Sequence, residues 1–322
     1  MSRTGLFQHI RDAAAAVAAR SRHVSIDHER AQAFAAALPA GLVTLPQYDA
    51  GTHYLGDPES TAAYLLALDT VNFGSGWFPV LAKRPGMSGS YTIASSLTDH
   101  FRERGPLMPD ALATISPDEC AAIFGQAHEG PVTELMALFA AAWNDLGRWL
   151  NDQHGGRFLS PIAEAGGSAA ALCESLADGL PGFRDVAFLD GLEVPLMKRA
   201  QLLCADLSLA FGGEGPGRFH DRGDLTIFAD NLVPHVLRMD GVLRYDPALA
   251  DRIEREEPIP AGSREETEIR AVAVHACEVI LAELAALDRP ATAATLDFLL
   301  WNRGQDPAIK SRPRHRTRTI FY

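Results

Sequence analysis

The sequence has no apolar run approaching the roughly 18 residues of a membrane span, so a transmembrane helix is not expected. It lacks a basic start followed by a continuous apolar core, with Asp12 close to the first apolar residues, which argues against a signal peptide. Cysteine is scarce: Cys120, Cys173, Cys204 and Cys277 lie far apart, without a CxxC, each in an apolar helical setting. Reduced, buried thiols in a cytoplasmic protein are the expectation. Basic charge is also short, since 29 Lys and Arg face 41 Asp and Glu for a formal charge of -12. A long footprint on DNA or intact RNA is disfavoured, because phosphate neutralisation needs a concentrated basic face. A small substrate with a single phosphate stays compatible with that charge.

Several familiar chemistries are missing as well. No GxxxxGK[ST] occurs, and the glycines at 212–217 do not form a strand-to-helix GxGxxG turn, so phosphate-loop and dinucleotide sites lack support. HExxH and GxSxG are absent, and the eleven histidines include no pair at i, i+4. Neither a metal site nor a cofactor is expected.

What is present reads as helix after helix. Leu6, Phe7, Ile10, Ala14, Val17 and Ala18 share one helical face, and a second short helix follows Asp27 and stops at Pro39. Asp57-Pro58-Glu59 supplies a cap, a proline at the first position and an acid in the first turn. That helix ends at Asn72-Phe73-Gly74-Ser75-Gly76-Trp77, whose aromatics suit core packing or a ligand. Helices are expected from about Tyr91 to Arg104, after the Ser116 to Glu119 capping box, from Val132 to Asp152, and over Ser168 to Ala177. Asp190-Gly191 between short apolar runs predicts a hairpin near 186–194, the one convincing non-helical episode. The fold class is therefore mainly α, a compact multi-helix arrangement.

From Leu196 the pattern returns to helix, with Lys198 and Arg199 at its start as a solvated basic pair or, facing a cavity, a phosphate anchor. Ser263 to Glu266 reads as a capping box for a helix that buries Ile269, Val272, Ala276, Val279, Ile280 and Leu284 and leaves Glu268, Arg270 and Glu278 off that stripe. Asp297 inside LDFLLW points outward or is buried against a definite hydrogen-bond partner. The tail HRTRTIFY ends on apolar residues and is expected to dock.

The stretch with most chemical promise is DLTIFADNLVPH, 224–235. Leu225, Ile227 and Phe228 make a buried run that ends by presenting Asp230. Two readings fit. Asp230 is the N-cap of a helix whose first turn holds Asn231 to Pro234, or it is a catalytic carboxylate partly desolvated at a cavity wall; the roles are compatible, because a helix N-terminus favours an anion.

The set LDTVNF at 68–73, FRDV at 183–186, KRAQ with a downstream Asp at 198–206, TIFAD with Pro at 226–234, GSREETEIRA at 262–271, LDFLLW at 296–301 and HRTRTIFY at 315–322 resembles the queuosine salvage protein family. The resemblance runs from about His53 to the C-terminus and implies a helical fold similar to helix-rich DNA glycosylases, as one domain over 1–322 or two closely packed lobes. It implies hydrolysis of queuosine 5'-phosphate to queuine and ribose 5-phosphate, feeding tRNA modification. Matched by motif, Asp230 is the catalytic aspartate, Phe228 a base-stacking aromatic, His53 a base-contacting histidine and Asp297 an acid that reads the deazaguanine edge. Phe298 and Asn302 fall at base-pocket positions where tyrosine and aspartate are usual, and Gly74-Ser75-Gly76 replaces a more aromatic stretch. Lys198 is the candidate cation for the 5'-phosphate. A non-catalytic deazapurine-binding protein, a ribohydrolase for a different nucleotide, and a helical interaction scaffold are the competing readings.

Overall fold

The computed structural model describes residues 5–39 and 48–322, and it is mainly helical with two small two-stranded sheets. The chain divides into two units, each described by itself. One gathers the described part of Met1–Pro46 with Asp185–Lys198 and Asp221–Arg318; the other gathers the described part of Gln47–Arg184 with Arg199–His220 and Thr319–Tyr322.

The first unit is built around the helix Arg264–Ala286, the longest among the described residues. Helices Leu6–Ala18 and His28–Ala37 pack on it, burying Phe7, Ile10, Ala14 and Val17 on the face that the sequence predicted. Ser263 caps it by accepting from Glu266 N–H, but Glu266 reaches back to Gly262 N–H (3.2 Å) rather than to the cap residue, so the expected capping box is shifted by one position. Two further features depart from the sequence reading. Strand β1 (Val24–Ile26) pairs antiparallel with β4 (Leu243–Tyr245), a second non-helical element that three-residue strands are too short to announce. Glu268 and Arg270 are buried rather than off the packed stripe, because each has a polar partner inside: Glu268 accepts from Ser21 Oγ (2.7 Å) and from the backbone N–H of Arg22 and His23.

The hairpin forms as expected. Strands β2 (Val186–Leu189) and β3 (Leu192–Pro195) pair antiparallel across Asp190 and Gly191, whose φ values of 49° and 78° suit a two-residue turn that matches strand twist.

The second unit is scaffolded by Thr133–His154, ended by Gly155 in the left-handed conformation. Pro58–Thr70, capped by Asp57, and Pro117–Phe124, with the Ser116 and Glu119 capping box, pack on it. Glu59 does more than favour its own first turn, accepting from Phe158 N–H (2.6 Å) and Leu159 N–H (3.3 Å) at the start of helix Leu159–Glu164. Phe73 stacks edge-on against Phe139 with 5.0 Å between centroids, and Trp77 Nε1 donates to Glu134 (2.7 Å), so both aromatics serve packing. The C-terminus docks through Tyr322, whose carbonyl accepts from Gly74 N–H (3.0 Å). All four cysteines are buried, and none forms a disulfide.

Gly147 marks the tightest approach to neighbouring backbone in that scaffold. A Cβ there would sit 2.3 Å from Ala113 N and 2.5 Å from Pro109 O, in backbone that has no room to yield. Gly147→Ala is expected to destabilise the protein by about 1–3 kcal/mol despite alanine's better helix propensity. A melting temperature equal to or above that of the parent would refute this packing argument.

Candidate active site

The site is assembled within the first unit from Asp185, and the hairpin explains how. Asp185 precedes β2, and after β3 the chain returns so that the Asp185 carbonyl accepts from Leu196 N–H (2.9 Å) and Met197 N–H (3.2 Å). Met197 adopts φ 51°, an uncommon backbone state for a side chain of its size, held by these bonds. The Asp185 carboxylate also accepts from Lys198 N–H (3.2 Å). Lys198 therefore returns beside Asp185, at the start of helix Lys198–Ala210.

The same carboxylate forms a two-pronged ion pair with Arg270, Nη1 to Oδ1 at 2.9 Å and Nη2 to Oδ2 at 2.6 Å. Both side chains are almost fully buried. Arg270 Nη1 also reaches Glu266 Oε1 (3.4 Å), and Nε gives its hydrogen to the carbonyl of Ala229 (2.8 Å), the residue before Asp230. Arg270 thus fixes the backbone that carries the candidate carboxylate. Its place in GSREETEIRA marks it by motif, but helical periodicity assigned it to the wrong face, because a paired guanidinium can occupy a core that an unpaired one cannot.

Residues 225–229 are buried and neither helix nor strand, and they deliver Asp230 to a partly exposed position. The N-cap of the following helix, Leu232–Met239, is Asn231, whose side chain makes no capping bond. Asp230 does the capping from one residue earlier: Oδ1 accepts from Leu232 N–H (2.7 Å) and Val233 N–H (3.0 Å). Oδ2 has no hydrogen-bond partner among the described residues. One oxygen is immobilised and the other is left available.

Asp297 lies nearby on helix Ala293–Arg303, 7% exposed, and its Oδ1 accepts from Phe228 N–H (2.8 Å). Of the two fates the sequence allowed, it takes the buried one. Burial and the neighbouring charge of Asp230 push its carboxyl up to about 8, against the opposing pull of the Phe228 N–H and the Lys198 cation. Its Oδ2 also lacks a hydrogen-bond partner among the described residues. The Phe228 ring is buried within the same segment.

Asp230, Asp297, Phe228 and Lys198 are therefore brought together. Lys198 and Arg199 are not the solvated pair that was one reading of the sequence; both are buried. Arg199, in the second unit, donates to the carbonyls of Asp69, Thr70 and Gly182 and lies over the rings of Phe73 (5.0 Å) and Phe183 (4.8 Å). Phe298, 40% exposed, and Asn302 lie four residues apart on the helix of Asp297, and both are exposed. His53 belongs to the second unit, half-buried beside Tyr48 and Tyr64, with Nδ1 at 3.0 Å from Thr52 Oγ1. Burial lowers its tendency to protonate, and the Asp49 carbonyl and charge partly restore it.

A partly exposed carboxylate with one free oxygen, beside a buried acid and an apolar ring, defines a helical protein equipped to act on a small polar molecule with a planar portion. The family model described as "Queuosine salvage protein" matches residues 52–322, and the chain belongs to that family. Among its relatives, the queuosine 5'-phosphate N-glycosylase/hydrolase of Sphaerobacter thermophilus is 40% identical over 310 residues, 95% of each chain. The Mus musculus protein of the same name is 29% identical over 97% of this chain and 98% of its own. That of Dictyostelium discoideum is 34% identical over 82% and 79% respectively.

Two outcomes follow from the site's electrostatics. Because the folded pKa of Asp297 is raised above its unfolded value, the native state holds a proton that the unfolded chain releases between about pH 4 and pH 8. Stability should fall as pH rises through that window, and Asp297→Asn should remove that decline. Parallel stability profiles for parent and variant would contradict the assignment. Replacing Arg270 alone with leucine leaves Asp185 buried and unpaired and should cost about 3–5 kcal/mol, part of which returns when Asp185 is also made leucine. Simple additivity in a denaturant double-mutant cycle would show the pair to be uncoupled.

Proposed function

We propose that this protein hydrolyses the N-glycosidic bond of queuosine 5'-phosphate, releasing queuine and ribose 5-phosphate, with Asp230 as the catalytic carboxylate. The observation that carries the reading is the division of labour between the Asp230 oxygens, Oδ1 held by two backbone N–H groups and Oδ2 free. Breaking the C1'–N bond builds positive charge on the ribose, and a fixed carboxylate oxygen near C1' stabilises that charge without reorganising. The electron pair of the broken bond departs with the base; water adds to C1', either directly or by displacing Oδ2 from a covalent bond formed first, and the proton that water gives up ends on the nitrogen of the departed base. A 7-deazapurine has carbon where a purine has N7, so protonation at N7 cannot help the base leave. That places more of the work on the carboxylate.

Asp297 reads the base. Its free oxygen accepts from a guanine-like N1–H and amino group, and a base without those donors would strand a desolvated acid. Phe228 gives the base an apolar face, with Phe298 and Asn302 as further contacts and Lys198 as a supporting cation. The likeness of the fold to helix-rich DNA glycosylases, a single functional domain and a cytoplasmic location belong to the same proposal. Among the described residues no helix is long and apolar enough to cross a membrane, and the acidic balance favours a free nucleotide over an intact nucleic acid.

Mass spectrometry of queuosine 5'-phosphate incubated with the protein should show free queuine accumulating over many turnovers. Asp230→Asn should lower that rate by three or more orders of magnitude while nucleotide binding and folding persist. Full activity of the variant would remove Asp230 from the chemistry, and tight binding without turnover by the parent would favour a non-catalytic deazapurine-binding protein. Base binding should also depend on pH. The ionised form of Asp297 accepts the base, so queuine affinity should rise up to about tenfold per pH unit below pH 8 and level off above it. Affinity independent of pH from 6 to 9 would exclude Asp297 as the acceptor.

A further inference from the structure

The segment 225–229, which carries Phe228 and leads into Asp230, is neither helix nor strand, so no regular ladder of backbone bonds fixes it. Side chains hold it instead. Near Asp230, Arg270 Nε donates to the Ala229 carbonyl and the Phe228 N–H donates to Asp297 Oδ1. The other end is held from the N-terminal helix Leu6–Ala18. Arg11 Nη2 donates to the Leu225 carbonyl (3.3 Å), and Arg11 Nε pairs with Glu278 (3.1 Å), both side chains being half-buried. Glu278 lies on the central helix Arg264–Ala286, eight residues beyond Arg270 and so about 12 Å along the axis. Four residues of extended chain reach about 14 Å, so grips at this spacing suit a segment laid beside that helix.

We propose that Arg11 is a positioning residue for base recognition: braced by Glu278, its guanidinium fixes the Leu225 end of the segment and with it the place of Phe228, three residues on. The role rests on the reading of Phe228 and Asp297 as the groups that receive the base. Asp230 has restraints of its own, the Arg270 tie to Ala229 and the Leu232 and Val233 N–H groups on Oδ1. The Arg11 tie therefore bears on where the base sits more than on the carboxylate that faces the sugar. A guanidinium suits the task, because its rigid planar fork donates to a carboxylate and to a carbonyl at once, with less freedom than an ammonium on a flexible stem. Arg11 lies ahead of every motif that carries the family resemblance, and beside the buried stripe of its own helix it reads as an ordinary surface charge.

The test is Arg11→Met, which keeps an apolar stem and removes the donors. Steady-state base release from queuosine 5'-phosphate should show KM raised roughly 3- to 10-fold with kcat changed by less than about twofold, and calorimetric titration should show queuine affinity lowered by a similar factor. Glu278→Gln should reproduce the change in weaker form, and the double variant should be no worse than Arg11→Met alone. Arg11→Lys should recover part of the affinity. A lowered melting temperature with KM and queuine affinity unchanged would make Arg11 a purely structural tie and overturn the proposal. So would a fall in kcat at unchanged KM, which would put the effect of the tie on Asp230. Should the methionine variant not fold, Arg11→Lys and Glu278→Gln decide by the same comparison. Failure of the underlying reading has a separate signature: parental queuine affinity in Phe228→Ala and Asp297→Ala, whatever the Arg11 variants do.

Discussion

The buried pair between Asp185 and Arg270 is the interaction on which the site depends. Its acid side holds the backbone of Lys198, and its basic side holds the carbonyl before Asp230. Charges this deeply buried are costly to desolvate, and a well-packed apolar pair could equal or exceed their net stabilisation. What an apolar pair could not do is hold two separate chain segments by directional bonds. The pair is thus better understood as a positioning device, which explains why an arginine and an aspartate occupy places that hydrophobic periodicity would fill with leucine.

Two carboxylates follow from that frame, and their surroundings differ. Asp230 is partly exposed at a helix N-terminus, with one oxygen held by two backbone N–H groups. Asp297 is buried beside that charge and takes up its proton far above the usual carboxylate range. Unequal acids side by side are a recurrent way to divide labour at neutral pH. On the proposed function, one acid faces the developing charge on the sugar and the other stays protonated until a base offering hydrogen-bond donors arrives.

Much of the scaffold was legible from local signals. Asp57-Pro58, the Ser116 capping box, the stripe from Leu135 to Leu150 and the Asp190-Gly191 turn all behave as their chemistry dictates, since each is decided within a few residues. The site was legible in part. The buried run ending in Asp230 could be read from its pattern, and the awkward Asp297 could be flagged, but their proximity could not, because 67 positions separate them and the contact runs through Phe228 N–H. Arg270 and Glu268 were misplaced for a related reason: periodicity sorts residues by polarity, and a buried charge with its partner elsewhere in the sequence looks like a surface one.

For Asp230 to act on the glycosidic bond, one of its oxygen atoms must face one sugar carbon. A crystal structure of the Asp230→Asn variant with queuosine 5'-phosphate bound tests it most directly. The account predicts C1' within about 3.5 Å of the side chain at position 230, with the base edge against Asp297. A nucleotide bound with its sugar turned away from position 230 would contradict it.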